Sequence, residues 1–411
     1  MQYTRPLGDK IVMLKARKIT DKIYWVGAID WNIRDFHGYS TKRGTTYNAF
    51  LIFDKKTVLI DTVKEAFYPE MRARILDILG GRKIDYIVCN HAEKDHTGAL
   101  RQAIADFKPQ KVFASAVGVQ NIKAQLGEDL PLEPLANGAM LDIGDDSFTF
   151  LEARMLHWPD SMVALLNKDN ILFCNDIFGM HYASAERFDT EVKREDWIYE
   201  FRKYYANIIL PYSKIVSAFL KLVEQKGIKP RMICPDHGVI WTEQIPDIVQ
   251  MYHDFAAQKS KKKAVVVYDT MWGSTEKMAT HIIDGLASRG VETKAFNMHD
   301  SHRSDVVASV MDSSAIIFGT PVLNQEIFPA LADVTTYLRG LKKEGLVGAA
   351  FGSYGWSEPA LNKMEDIMKG MGVQIIAPMV KAKFTPDEAK LKECFDLGAA
   401  VGKAVAEKFK N

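Results

Sequence analysis

The sequence has few cysteines and no closely spaced pair of them. Its four cysteines, Cys89, Cys174, Cys234 and Cys394, lie far apart, and no Cys-x-x-Cys motif occurs among the 411 residues. A thiolate zinc site or a cysteine-ligated iron site is therefore not encoded. The chain also lacks a Gly-x-Gly-x-x-Gly fingerprint and a Gly-Lys-Ser phosphate loop, which makes a nicotinamide dinucleotide or ATP a less favoured ligand.

A large net charge and a long apolar run are missing as well. The 53 basic and 52 acidic residues leave a net charge of +1, so no overall field gathers nucleic acid or anionic lipid. No stretch reaches the ~20 apolar residues that span a bilayer, and residues 1–18 lack the apolar core and cleavage site of a secretory signal. We expect a cytoplasmic protein without a nucleic-acid or membrane partner.

The composition is that of a globular protein with ample material for its cores. Hydrophobic residues make up 47% of the chain and charged residues 26%, and the length favours two domains. A polar, lysine-rich stretch at 256–263 is the best boundary. We predict a first domain over 1–255, a linker over 256–263 and a second domain over 264–411.

In the first domain, short strand-like runs alternate with helical segments, which predicts two sheets flanked by helices. Four potential metal ligands, His91, Glu93, Asp95 and His96, follow the apolar run 84–89 within six residues. Imidazole and carboxylate together suit transition metals, and carboxylates bridge two cations, so this mixture favours a metal pair over a lone structural zinc. Taken alone, the segment is equally compatible with a solvated turn or a helix cap.

Three later segments strengthen the metal hypothesis. His157, Asp176 and His237 each follow a short apolar run. The ends of strands hold side chains in fixed positions, so ligands supplied singly from several strand ends are typical of an active site on a sheet.

The second domain alternates regularly between strand and helix. Five strand–helix units predict a doubly wound parallel sheet, whose ligands bind at the carboxyl ends of the strands. The expected strands are 264–268, 292–297, 315–319, 347–351 and 374–377.

Three of the predicted strand ends indicate a flavin site. The segment 269–276 carries hydroxyl groups and one glycine at the start of a helix, which suits a phosphate; the alternative is a simple Ser/Thr helix cap with Glu276 in the first turn. The segments 319–324 and 352–357 add glycines, which allow close approach of the backbone, and aromatic rings that stack on a planar ligand. Together they favour flavin mononucleotide (FMN).

With both sites located, the chain resembles the flavodiiron proteins over essentially its whole length, and most closely those described as rubredoxin:oxygen oxidoreductases. Besides the ligand segment, the resemblance rests on Gly-Ala-Ile-Asp-Trp-Asn at 27–32, Arg-Asp-Phe-His-Gly-Tyr at 34–39, Gly-Thr-Thr-Tyr-Asn-Ala at 44–49 and Leu-His-Trp-Pro-Asp-Ser-Met at 156–162. It implies an α/β protein: an N-terminal metallo-β-lactamase-like αββα sandwich with a diiron centre, and a C-terminal flavodoxin-like doubly wound parallel sheet with FMN.

The resemblance also implies roles for individual residues. One iron would be held by His91, Glu93 and His157, the other by Asp95, His96 and His237, and Asp176 would bridge the two. His96 is coordinated in some family members and turned away in others. Glu93 stands where hydrolytic relatives usually have histidine, and its added carboxylate favours iron redox chemistry over zinc hydrolysis.

For FMN, the resemblance implies contacts from three segments and a paired arrangement of subunits. The predicted contacts are Thr270, Met271, Trp272, Gly273, Ser274 and Thr275 at the phosphate, and Pro321, Val322, Leu323, Asn324, Ser353, Tyr354, Gly355 and Trp356 around the ring system. Family members form head-to-tail homodimers, some of them paired again into dimers of dimers, in which the FMN of one subunit approaches the diiron site of the other.

The predicted function is reduction of O2 to water, of NO to nitrous oxide, or of both, at a non-haem diiron site, with electrons passing through FMN from an external donor. Rubredoxin is the first choice of donor and a reduced deazaflavin the second. The same ligands serve members with either gas preference, so the sequence does not choose between them. Two alternatives stay open: a dinuclear-zinc hydrolase, and an FMN electron carrier without diiron catalysis.

Overall fold

A computed structural model of the chain describes residues 14–410, which form two compact units. Neither unit is continuous in sequence. The first contains residues 14–34, 41–197 and 221–248, and the second contains 35–40, 198–220 and 249–410. The predicted domain boundaries at 255 and 264 divide the chain by position in the sequence, whereas the compact units are groups of residues in contact. The boundaries therefore remain a prediction.

The first unit is built on two sheets. The larger has seven strands, in the order Arg17–Lys18, Ile23–Trp25, Phe50–Phe53, Thr57–Ile60, Tyr86–Cys89, Lys111–Ser115 and Leu132–Leu135. The smaller has five, in the order Met140–Asp142, Ser147–Glu152, Met162–Leu166, Ile171–Phe173 and Met232–Cys234. A short antiparallel pair, Ala28–Asp30 with Thr45–Tyr47, completes the strands of this unit.

The hydrophobic core lies between these two sheets. Side chains of the larger sheet, such as Phe50 and Val88, pack with Phe148, Phe150 and Phe173 of the smaller one, and all five are almost completely buried. A second core covers the other face of the larger sheet. Its helices are Tyr68–Leu79, Leu100–Phe107 and Ala116–Leu126. Burial on both faces explains why the central strands are apolar without alternation.

The second unit contains a parallel sheet. Its strands lie in the order Glu292–Asn297, Lys263–Tyr268, Ala315–Leu323, Val347–Tyr354 and Gln374–Ile375, with Val380–Lys383 also parallel to the fourth. The strand order reverses beside Lys263–Tyr268, and ligands of open α/β sheets bind at such a point. A short strand, Glu326–Ile327, pairs back on the third, and a two-residue pair, Asp35–Phe36 with Tyr39–Ser40, also belongs to this unit.

Helices cover this parallel sheet. They are Ser274–Ala287, Arg303–Val310, Pro329–Leu341, Pro359–Gly370 and Glu388–Glu407. Most carry a buried apolar stripe, such as Met278, Ile282 and Leu286 on the first of them, which is the pattern of helices packed on a sheet.

One continuous helical run, Arg194–Gln225, is long and apolar enough to cross a membrane by length and composition alone. It consists of Arg194–Tyr204, a π-helical turn at Tyr205–Ile209, a 3₁₀ turn at Leu210–Tyr212 and Ser213–Gln225. Core helices of globular proteins meet the same criterion, and 44% of its most apolar window is buried inside the fold. A further helix, Ile245–Ala256, the one-turn helix Lys94–Thr97, and 3₁₀ turns at Glu65–Phe67 and Asp189–Glu191 complete the helical elements of residues 14–410.

Three predicted strand ends of the second domain differ from the structure. The third strand continues past Gly319 to Leu323 and the fourth past Phe351 to Tyr354, because the two pair with each other through Pro321 and Ser353. The predicted fifth strand at 374–377 has only two paired residues, Gln374–Ile375, and Val380–Lys383 provides the rest of that edge.

Candidate metal and flavin sites

All seven predicted metal ligands lie at one end of the sandwich in the first unit. His91 and Glu93 follow the strand Tyr86–Cys89, and Asp95 and His96 lie in the one-turn helix Lys94–Thr97 directly after it. The remaining three, His157, Asp176 and His237, follow Ser147–Glu152, Ile171–Phe173 and Met232–Cys234. The sequence prediction that separate strand ends supply these side chains is confirmed by this arrangement.

Four of the predicted ligands form a first group, which we call the His91 group: His91, Glu93, His157 and Asp176. Glu93 Oε2 lies 3.3 Å from His91 Nε2 and 3.2 Å from His157 Nε2. Asp176 Oδ2 lies 3.5 Å from His91 Nε2 and 3.2 Å from His157 Nε2. Two imidazole nitrogens and two carboxylates therefore face one point.

The other three predicted ligands form a second group, the His237 group: Asp95, His96 and His237. His96 Nε2 is 3.3 Å from Asp95 Oδ1, and His237 Nε2 is 3.2 Å from Asp95 Oδ2. Asp176 presents its other oxygen, Oδ1, to this group, at 3.4 Å from both His96 Nε2 and His237 Nε2. One carboxylate thus faces both groups with different oxygens, as a bridging ligand must.

The unpaired polar atoms in this cluster fit a pair of cations. Among residues 14–410, both carboxylate oxygens of Asp95 and Asp176 and both ring nitrogens of His96 are buried without a hydrogen-bond partner. Buried polar atoms without partners are costly, and this cost is removed when they bind a cation. The nitrogen and oxygen donors are those that transition metals accept. His96 is directed into the cluster, toward Asp95 and Asp176.

The pKa shifts of His91 and Asp176 also favour the binding of cations at this cluster. Burial opposes protonation of His91, but hydrogen bonds to Asp160 and Glu93 outweigh it and raise its pKa to about 10. Burial would likewise raise the pKa of Asp176, but the positive charge of His96 and the close contact with His157 hold it well below its usual value. The carboxylates therefore concentrate negative charge in the cluster, which favours the binding of cations.

A second layer of buried residues fixes the ligands. His91 Nδ1 lies 3.2 Å from Asp160 Oδ2, and His237 Nδ1 donates to the carbonyl oxygen of Thr46 at 2.6 Å. Asn48 holds the loop that carries His237, since its amide nitrogen donates to the carbonyls of Pro235 and Gly238. These contacts orient the Nε2 atoms of His91 and His237 toward the cluster.

The second unit contains a cavity of about 720 Å³ at the carboxyl ends of its strands. Of the fourteen predicted FMN contacts, eleven line it: Met271, Trp272, Ser274, Pro321, Val322, Leu323, Asn324, Ser353, Tyr354, Gly355 and Trp356. Trp272 and Trp356 are each 92% exposed, so both indole faces are available to a planar ring. The volume and the aromatic walls suit a flavin ring system.

The three predicted contacts outside this lining, Thr270, Gly273 and Thr275, lie at the start of the helix Ser274–Ala287. Gly273 is the capping residue, in a left-handed conformation with φ of 79°, and no side chain caps this end. The alternative of a Ser/Thr helix cap is therefore wrong. Thr270 Oγ1 is buried and has no partner within residues 14–410, while Thr275 Oγ1 bonds to Ser353 Oγ at 2.9 Å. Uncapped helix N–H groups and a free hydroxyl form an anion site that fits a phosphate.

Four lining residues were not predicted: Gln325, Ser357, Phe384 and Thr385. Phe384 and Thr385 follow the strand Val380–Lys383, which the sequence analysis did not identify. Gln325 forms a two-residue hairpin turn with Asn324, and both have positive φ. The available signal was weak: an alternating Val-Lys-Ala-Lys run ahead of an aromatic residue, whereas the other cavity segments follow continuous apolar strands.

Comparisons with known proteins agree with both sites. Residues 45–238 match the family model described as ODP family beta lactamase, and residues 266–398 match Flavodoxin. A nitric oxide reductase of Moorella thermoacetica is 40% identical over 95% of this chain and 98% of its own length. The solved structure of rubredoxin oxygen:oxidoreductase from Desulfovibrio gigas has a TM-score of 0.94 at 38% identity, covering 97% of this chain and 100% of that one.

A second solved structure, the flavodiiron protein from Giardia intestinalis, has a TM-score of 0.92 at 32% identity and covers 96% of this chain and 98% of that one. These similarities confirm the predicted fold class, a metallo-β-lactamase-like sandwich and a flavodoxin-like parallel sheet. They also confirm the predicted cofactors, FMN and a pair of non-haem irons, for which the two sites provide fitting residues. The chain belongs to the flavodiiron protein family.

Proposed function

We propose that this chain is an oxidoreductase that reduces O2 to water, NO to nitrous oxide, or both, at a diiron site, with electrons relayed through FMN. The observation that carries the proposal is the convergence of seven buried ligands into two groups that share Asp176. Relatives named as a nitric oxide reductase and a rubredoxin oxygen:oxidoreductase support it.

In the proposed ligand assignment, His91, Glu93 and His157 hold one iron, and Asp95, His96 and His237 hold the other, with Asp176 bridging. An iron pair bound there supplies redox-active positions open to a diatomic ligand. His96 is included because its Nε2 lies within 3.4 Å of both Asp95 Oδ1 and Asp176 Oδ1. Glu93 gives the His91 group a second carboxylate, which favours iron over a zinc site of mainly imidazole ligands.

The predicted ligands differ in how far they are exposed to solvent. His157 and Glu93 keep 16% and 11% of their side chains exposed, whereas His91 and His96 are fully buried. A small gas therefore reaches the cluster at the edge formed by His157 and Glu93. Burial of the other ligands keeps bulk water away from them, which strengthens the charge interactions in the cluster.

In the second unit, we propose that FMN binds with its phosphate at the start of the helix Ser274–Ala287 and its ring between the cavity segments. Thr270, Gly273, Ser274 and Thr275 serve the phosphate. Bound flavin exchanges electrons with both one-electron and two-electron carriers. Water formation from O2 takes up four electrons and four protons, and nitrous oxide formation from two NO takes up two of each.

The electron donor and the assembly belong to the same proposal. We expect a reduced external carrier, rubredoxin first and a reduced deazaflavin second, to deliver electrons to FMN. The active form is a head-to-tail homodimer, or a dimer of such dimers, in which FMN of one subunit serves the diiron site of its partner. The protein acts in the cytoplasm, without nucleic acid or membrane.

The decisive experiment is anaerobic loading with iron and FMN, chemical reduction, and stopped-flow mixing with O2 and separately with NO. We expect about two irons per subunit and flavin reoxidation with at least one gas. In Asp176→Ala, which lacks the shared carboxylate, reoxidation should slow at least a hundredfold, since this ligand touches both groups. Zinc in place of iron, or reoxidation unchanged in Asp176→Ala, would contradict the proposal.

A further inference from the structure

The second unit has another cavity, with a volume of about 280 Å³, that takes no part in the proposed metal and flavin sites. Its lining residues come from the edge strand Glu292–Asn297, from the helix Arg303–Val310, and from Tyr199, Arg202 and Lys263. It shares no lining residue with the flavin cavity. Its volume is close to the lower end of the range for small-molecule sites.

The side chains at this cavity carry more hydrogen-bond donors than they have acceptors within residues 14–410. An arginine side chain has five N–H donors, and Arg202 bonds through Nη2, to Asp312 Oδ2 at 2.7 Å. An ammonium group has three, and Lys263 bonds to the carbonyl oxygen of Ser309 at 2.9 Å and to Asp312 Oδ1 at 2.8 Å. Lys294, on the exposed edge strand, has no hydrogen-bond or ion-pair partner in the described part of the chain. Donors therefore remain for a ligand that supplies acceptors.

Ser309 adds a buried hydroxyl group to the lining. The residue is 6% exposed, and its Oγ has no hydrogen-bond partner among the described residues. Ser313 of the following turn shows the ordinary alternative, since its Oγ donates to the carbonyl oxygen of Ser309 at 2.7 Å. A buried hydroxyl without a partner is costly, and a bound acceptor would remove this cost.

Positive charge is concentrated beside the cavity. One carboxylate, that of Asp312, is shared by the cations of Lys261, Lys263 and Arg202. Burial lowers the pKa of the Lys263 ammonium, although its contact with Asp312 opposes the shift. The charges of Lys294 and Arg202 lower this pKa further, so both cations lie close enough to Lys263 to repel it. A bound anion would relieve this repulsion.

The remaining lining residues are compatible with an anion that carries a ring. Asp305 is the acidic residue of the lining, but its charge is offset by Lys203, which forms an ion pair with it at 2.6 Å. Its Oδ1 also accepts from the hydroxyl of Tyr199 at 2.8 Å. The rings of Tyr199 and Phe296 line the cavity beside the cations, and aromatic faces of this kind stack on planar ligands.

We propose that this cavity binds a phosphate-class dianion, either inorganic phosphate or the phosphate of a small monoester, with Arg202, Lys294 and Ser309 as donors. Phosphate offers three strong acceptor oxygens, and the planar guanidinium group matches their geometry. The site is distinct from the FMN phosphate position at the start of the helix Ser274–Ala287. It goes beyond the proposed oxidoreductase function and does not depend on the iron pair.

The test is isothermal titration calorimetry of the FMN-loaded protein, in which the flavin phosphate position is already filled. The titrants are inorganic phosphate, phenyl phosphate and, as a neutral control, phenol, at low ionic strength because salt screens charge contacts. Lys294→Gln removes a charge from the exposed edge strand, and Ser309→Ala removes the buried hydroxyl while favouring the helix. Lys403→Gln is the matched control, since Lys403 is an exposed lysine of the helix Glu388–Glu407 outside the cavity lining.

We expect about one phosphate-class ligand per subunit and no binding of phenol. Lys294→Gln and Ser309→Ala should each weaken binding about tenfold, because each loses a hydrogen bond to a charged group, and Lys403→Gln should match the wild type. Tighter binding of phenyl phosphate would identify a monoester as the ligand, and tighter binding of inorganic phosphate would identify the free ion.

Three results would overturn the proposal. The first is the absence of saturable binding in the wild type at millimolar concentrations. The second is binding that both cavity variants leave unchanged, which would place the anion elsewhere on the protein. The third is an equal loss in Lys403→Gln, which would show only a general attraction of anions to surface lysines.

Discussion

The surroundings of Thr270 suit a bound anion. Its hydroxyl is buried without a partner among the described residues, beside the uncapped start of the helix Ser274–Ala287. We expect Thr270→Val to weaken FMN binding about tenfold, because a hydrogen bond to a charged group contributes roughly 1.5–3 kcal/mol and part of it is recovered from water. Quenching of flavin fluorescence during titration of the apoprotein measures this.

Riboflavin provides the control for that variant, because it has the same ring but no phosphate. Its affinity should be equal in the wild type and in Thr270→Val. An equal loss for riboflavin and FMN would show that Thr270 supports the ring or the fold, and the phosphate assignment would then be wrong.

At the scale of single residues, the sequence predicts the metal cluster better than the flavin cavity. His91 and its six partners have side chains whose chemistry identifies them, and each follows an apolar run. Phe384 and Asp160 carry no such signal, because an aromatic residue after a lysine-rich strand and an aspartate two residues past a tryptophan have many ordinary roles. Their roles come from neighbours distant in sequence, such as Gly355 for Phe384 and His91 for Asp160.

Among the elements, two helices of the second unit approach so closely that only glycine fits between them. A Cβ at Gly398 of the helix Glu388–Glu407 would lie 2.0 Å from the carbonyl oxygen of Ile282, and one at Gly285 would lie 2.1 Å from that of Phe395. Backbone atoms cannot yield as side chains do. We expect Gly398→Ala to lower the free energy of unfolding by about 2 kcal/mol or more, despite the better helix propensity of alanine.

Gly340→Ala is the matched control for this contact, since Gly340 lies in the helix Pro329–Leu341 with open space around it. Alanine should raise stability there by about 0.5–1 kcal/mol. Urea unfolding of the FMN-loaded protein, followed by circular dichroism, compares the variants. If Gly398→Ala leaves the free energy of unfolding unchanged, the two helices can move apart at little cost and the prediction is wrong.

The helices Tyr68–Leu79 and Ser274–Ala287 carry periodic apolar stripes, a signal that is visible in the sequence. The ends of strands are harder to predict. Pro321 lacks an N–H group and indicates an end at Gly319, yet pairing with Ser353 carries the strand on to Leu323. In Val380–Lys383 the valine and the alanine are buried and the two lysines are not. Four alternating residues are too few to distinguish a strand from a loop.

At the scale of the whole molecule, the proposed head-to-tail homodimer can be tested by combining two defective subunits. One carries Asp176→Ala and keeps FMN; the other carries Ser274→Glu, which places a carboxylate at the phosphate site, and keeps iron. Neither homodimer should turn over. A doubly tagged heterodimer has one intact FMN facing one intact iron pair across the interface, so it should recover about half the wild-type rate in a symmetric assembly.

Turnover with a rubredoxin-type donor or a chemical reductant measures the recovery. Mixing the two homodimers without subunit exchange is the control and should stay inactive. An inactive purified heterodimer, or a monomer by sedimentation, would contradict the proposed path of electrons between subunits.

The second unit gathers three separate pieces of chain, and this limits how the protein can be dissected. Lys203 in the piece 198–220 is buried against Asp305 and donates to Ser40 of the piece 35–40, while Arg202 pairs with Asp312. A fragment cut out at residue 264 would retain both aspartates without these cations. The flavin-binding unit therefore cannot be transferred to another protein as the segment 264–411 alone. A fusion must also include the helical segment 198–220, which precedes it in the sequence.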